Sequence, residues 1–223
     1  MRNWRRLLPV MLAMLFAAVG IDKAVLCPYW YSHWGTTVEE RRRQWPGDEF
    51  VKQPGHCTRA VTIHAPAEAI WPWILQIGQD RGGFYSYTWL ENLLLADMRN
   101  ADRIFPEFQS RNVGDIVWMA PKHRYGGKAY MVVGQMVPYR AMVLVQRDDF
   151  DAVMRGERVH GGIWQFLLEP VDSNNTRLIM RGTVPDKTSI MYDLLFDPAH
   201  FVMERKMMLG IKERVEHQAR QQL

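Results

Sequence analysis

Apolar and polar positions change their period several times along this chain. In TRAVTIHA, residues 58–65, they alternate and the run is rich in β-branched side chains, which predicts a half-buried strand. Pro66 stops it, and AEAIWPWILQIG then sets Ile70, Ile74 and Ile77 at helical spacing, so a helix is expected to lay these three on a sheet. Trp71 and Trp73 flank Pro72 at the start of that helix, which predicts that one faces the sheet and the other meets a connector or a membrane surface. Gly82 and Gly83 mark a turn, and residues 87–98 read as a second short helix. VGDIVWMA, KAYMVVGQMV, RAMVLVQRD, HGGIWQFLLEPV and NTRLIMRGTV follow as strand patterns separated by turn signals, the order of an antiparallel meander. The last segment opens with Asp197 as cap and Pro198 in the first helical position. It repeats apolar residues at Phe201, Met208, Ile211 and Val215, predicting a long amphipathic helix.

A strand, two short helices, a run of antiparallel strands and a terminal helix define an α+β domain. Alternation puts Trp164, Phe166, Leu168, Leu178 and Met180 on the apolar strand faces, with Gln165, Arg177 and Arg181 opposite. A strongly bent antiparallel sheet has a concave face too wide to be filled by its own side chains, so a closing helix can leave a cavity.

Ahead of this domain the pattern becomes uniformly apolar. Residues 7–21 are apolar on every face and follow Arg2, Arg5 and Arg6. Continued to Leu26, the helix would span roughly 30 Å, the thickness of a bilayer core. Trp4 on one side and Tyr29, Trp30 and Tyr31 on the other resemble two interfacial belts. Residues 1–31 are therefore expected to hold an uncleaved single-pass N-terminal anchor, a transmembrane helix over 7–26, in preference to a signal peptide. The arginines before it favour an extracytoplasmic domain, while Lys23 and Arg41, Arg42 and Arg43 pull the other way. Residues 32–57 read as a connector that packs on the domain, with a short helix over 37–44, and residues 58–223 as the domain itself.

A formal charge of +4 on 223 residues, with no basic stripe interleaved with aromatics, excludes a nucleic-acid partner. Cys27 and Cys57 are too few for a disulfide framework or a thiolate zinc site. No nucleophile elbow, phosphate loop or dinucleotide fingerprint is present. His200 and Glu204 lie four apart on the terminal helix without a third ligand, so no metal and no cofactor are expected.

TRAVTIHAPAEAIWPWILQIG, GGFYSYTWLENL, VGDIV, WQFLLEP with TRLIMR, and FDPAHFVMERKMMLGIKER, spread over residues 58–214, resemble the SRPBCC superfamily in its bacterial polyketide cyclase or dehydrase-like group. HWGTTVEERRRQWPGDE is similar to the lead-in of a membrane-anchored subgroup. The resemblance implies a START-like or Bet v 1-like helix-grip fold, a curved antiparallel sheet wrapped around a long C-terminal helix, and a hydrophobic cavity. It does not name the occupant, because this fold hosts lipid carriers, hormone receptors and aromatase/cyclases alike. Candidate pocket residues are Tyr85, Tyr87, Trp89, Trp118, Tyr130, Trp164 and Met180, with Arg181 or His123 as polar anchors; Tyr85, Tyr87 and Trp89 stand foremost, at the bend out of the glycines. The function expected is a membrane-tethered binding module for a hydrophobic or amphipathic, lipid-like small molecule. The alternative is a cyclase, dehydratase or hydrolase acting on a hydrophobic substrate, with Tyr85, Tyr87 and Arg181 as proton donors or anion holders.

Overall fold

The computed structural model describes residues 27–53, 57–183 and 197–221. The expected transmembrane segment, residues 7–26, lies outside the described residues, and no described helix is long and apolar enough to cross a membrane.

Six strands form one antiparallel sheet: β1 (Cys57–Ile63), β2 (Ile116–Trp118), β3 (Tyr130–Val137), β4 (Ala141–Val145), β5 (Ile163–Asp172) and β6 (Asn175–Gly182), in the order β1-β6-β5-β4-β3-β2. The β5–β6 hairpin sets Phe166 opposite Met180 and Leu168 opposite Leu178, so the apolar alternation of the two strands falls on one face. On β3 the register slips between Val133 and Gln135, a bulge of the kind that bends a strand and increases its twist.

Two helices cover that face, α3 (Ala67–Leu75) and the long α6 (Asp197–Gln221). Ile70, Ile74 and Ile77 are fully buried against Met142, Leu144, Phe166 and Leu168 of the sheet and Met208, Ile211 and Val215 of α6, in one continuous core. Trp71 and Trp73 are both buried, Trp71 beside Tyr139 and Trp73 edge-on against Tyr85. Residues 103–109 pack over a second side of α3, where Gln76 Oε1 accepts from the backbone of Phe105 at 3.1 Å.

The opposite face is covered by the segment that precedes β1. There α2 (Val38–Arg42) is started by a capping box between Thr37 and Glu40, and Glu40 also accepts from Arg177 Nε of β6 at 2.7 Å. Trp45 and Asp48 are buried beyond it, and α1 (Cys27–Ser32) lies against α6, with Tyr31 stacked on Phe201 at 5.7 Å. Two helices differ from expectation. α4 spans only Thr88–Leu93, because Leu95 and Asp97 take positive φ and turn the chain back. α5 (Arg147–Met154) begins within RAMVLVQRD, whose pattern predicts strand to its end.

Candidate ligand-binding cavity

Between the helix-covered face of the sheet, α6, and the segments 84–98 and 119–130 lies a cavity of about 580 Å³. Its walls are mainly apolar: Ile163, Trp164 and Met180 from the sheet, Met203 and Met207 from α6, and Phe84, Ala96, Met98, Met119 and Ala120 from the two segments. Volume and lining are those of a small-molecule site. Leu94, Tyr125, Lys128, Gln146 and His200 are exposed at its edge and mark the mouth. The segment carrying Phe84 and Ser86 can reach α6 closely because position 210 is glycine; a Cβ there would collide with the backbone carbonyl of Tyr85.

Charged groups enter this apolar space from two directions. On β1, alternation places Arg59 on the same face as Ile63, and on α6 His200, Met203, Glu204 and Met207 fall along one stripe. Glu204 is buried. Its Oε2 accepts from Arg59 Nη1, its Oε1 accepts from the Trp164 indole at 2.8 Å, and Arg59 Nε donates to the Tyr31 carbonyl at 2.8 Å. Burial alone would raise the Glu204 carboxyl, but the charges of Arg59 and His200 and the hydrogen bonds from Trp164 and Arg59 hold it below the usual carboxylate range.

The second group is Glu91 on α4, only 5% exposed. Asn92 fixes the chain around it, donating to the Met98 carbonyl at 3.1 Å and accepting from its N–H at 2.5 Å. Glu91 Oε2 is buried without a hydrogen-bond partner, and burial pushes its carboxyl up to about 7. The helix is inside out: its acid faces the cavity, while Trp89 and Leu93, 67% and 71% exposed, face outward.

Of the residues singled out from the sequence, the structure places Tyr130, Trp164 and Met180 along the cavity. The others lie elsewhere. Tyr85 is 1% exposed, with a positive φ; its hydroxyl donates to the Trp73 carbonyl at 3.0 Å and its ring packs edge-on against that indole, so it ties a loop to α3. Tyr87 is half-buried beside Trp89, with Lys206 over its ring. Trp118 packs on Tyr130 outside the cavity wall, and His123 is exposed. Arg181 cannot anchor a ligand in this cavity: it lies on the opposite sheet face, where Nε donates to Asp48 at 3.1 Å and Nη1 to Thr58 at 3.1 Å. Glu204, four residues from His200 on α6, is turned to Arg59 and Trp164, and among the described residues no group of three or more His, Cys, Asp or Glu is placed to hold a metal. Arg59 and Glu91, the groups sequence reasoning missed, differ in legibility. The alternation of TRAVTIHA was a signal that could have found Arg59, which shares a face with Val61 and Ile63, whereas nothing in TWLENLLL marks its glutamate as the buried residue.

No protein-family model and no curated protein sequence matches the chain. Among solved structures, it is similar to a conserved protein from Geobacillus kaustophilus, at 9% identity over 74% of this chain and 96% of that one, with a TM-score of 0.40. It is similar to norcoclaurine synthase from Thalictrum flavum at 11% identity, over 81% and 96% of the two chains, with a TM-score of 0.39. A polyketide-cyclase-like protein from Corynebacterium glutamicum is similar at 14% identity over 75% and 90%, with a TM-score of 0.30.

Proposed function

We propose that this protein is a membrane-tethered binding module that holds a hydrophobic or amphipathic, lipid-like small molecule in the cavity. The observation that carries the proposal is an open space of about 580 Å³ with mainly apolar walls, in which Arg59 and Glu204 neutralise each other. The tether is the apolar run over residues 7–26. A mouth turned to the bilayer is supported by Trp89, Leu93, Leu94 and Leu95, all more than half exposed beside it. Lys122, Arg124 and Lys128 are exposed on the neighbouring segment and suit anionic headgroups. Native mass spectrometry of the full-length protein, released from detergent, tests the proposal. A bound molecule that organic extraction recovers is the expected result, and a bare polypeptide mass after incubation with membrane lipids would overturn it.

A second reading draws on Glu91 alone. A buried acid titrating near neutrality and facing an apolar cavity is what general acid–base catalysis on a hydrophobic substrate requires, as in a cyclase or dehydratase. In that reading Glu91→Gln abolishes turnover while substrate still binds. The donor roles considered for Tyr85, Tyr87 and Arg181 fall away, because none of the three lines the cavity.

A further inference from the structure

Glu91 narrows the chemistry of the occupant. An acid buried in apolar surroundings is ordinarily paired, because a lone carboxylate there loses its hydration and gains nothing in return. Among the described residues Glu91 has no such partner: Oε2 is buried without a donor, and burial is what raises its carboxyl, with no described cation close enough to offset its charge. The other charged groups that line the cavity among the described residues are accounted for. Arg59 is bound to Glu204, His200 lies near Glu204, and Lys128 sits at the exposed rim. Among the described residues the cavity therefore contains one uncompensated acid, facing apolar walls that include Phe84, Trp164, Met180 and Met207.

Resting on the cavity reading above, we propose that Glu91 is the polar anchor for a ligand whose apolar body carries a protonated amine, the ammonium donating to the Glu91 carboxylate. An amine supplies both the missing donor and the missing positive charge. An alcohol supplies the donor only, and an anionic ligand adds a second negative charge to the first. The apolar body of the ligand packs against the methionine and aromatic side chains of the remaining wall.

Three probes of one shape test this by calorimetry on the full-length protein in detergent: 1-naphthylmethylamine, 1-naphthalenemethanol and 1-naphthoic acid. At about pH 8 the amine binds at least tenfold more tightly than the alcohol, and Glu91→Gln removes that preference. A second measurement needs no variant. Near pH 6.5, in buffers of different ionisation enthalpy, amine binding to the unaltered protein releases protons, because the unliganded acid titrates near pH 7 and must ionise to hold the ammonium. The proposal is overturned if the alcohol binds as well as the amine, if the acid is preferred, if no proton is released, or if the preference survives in Glu91→Gln. If none of the three probes binds, the cavity reading fails with it.

Discussion

Glu91 and Glu204 border the same cavity, yet their surroundings push them in opposite directions. Glu91 is raised to about 7 from an ordinary value of 4.5, so the folded state holds a proton that the unfolded state releases between those values. Stability from this group is accordingly full below pH 4.5 and is lost as pH rises through 7. Glu91→Gln is expected to stabilise the protein at pH 8 by about 2 kcal/mol, a figure discounted for solvent screening at the mouth, with no gain near pH 4; melting across that range checks it. Glu204 has the reverse sign. Its lowered value contributes stability above the ordinary carboxylate range, lost as pH falls through the folded value. Arg59→Met strands Glu204 in the core and should cost about 3–5 kcal/mol in urea unfolding, most of it recovered by adding Glu204→Leu. At this scale the sequence was only half legible. Arg59 could be placed by the period of its strand, while Tyr85 looked like a cavity ring and proved to be a structural tie, since a positive φ turns it toward α3.

The elements show where patterning succeeds and where it misleads. Strand alternation placed the inward faces of β5 and β6 because both faces of the sheet are covered and a one-residue slip would bury Arg177 and Arg181 among the apolar groups. α5 was hidden because its start follows the apolar run of β4, although Asp148 and Asp149 in its first turn are a helix-start signal. α4 misled most. Ordinary amphipathicity would bury its leucines and expose Glu91, whereas the turn at Leu95 and Asp97, held by Asn92, brings the acid inward and leaves Trp89 and Leu93 outside. Such a face needs a cover, and in the proposed function the bilayer interface provides it. In bilayers containing brominated acyl chains, Trp89→Phe should remove one interfacial tryptophan's share of the fluorescence quenching and leave the melting temperature unchanged; undiminished quenching would place that face away from the lipid.

At the scale of the whole molecule the α+β layout followed from the order of the patterns alone: one strand, two helices, five strands and a terminal helix, with α6 closing the face that the alternation left apolar. The lining of the cavity did not. It depends on how the segments 84–98 and 119–130 fold over the sheet, which no local period encodes, and so six of the nine candidate residues named from sequence lie outside it. Gly182 offers a direct way to ask whether the space is used. It lines the cavity on the same strand face as Met180, and among the described residues a Cβ there would meet only the Ile163 carbonyl, at an ordinary 3.4 Å, so a large side chain can enter the cavity without strain from them at its base. The deciding measurement is native mass spectrometry of the wild-type and Gly182→Phe proteins side by side, after the same incubation with membrane lipids. Ligand bound to the wild-type protein and lost, by tenfold or more, from a variant that melts no lower is the predicted result; equal occupancy in both proteins would show that the ligand does not occupy this cavity.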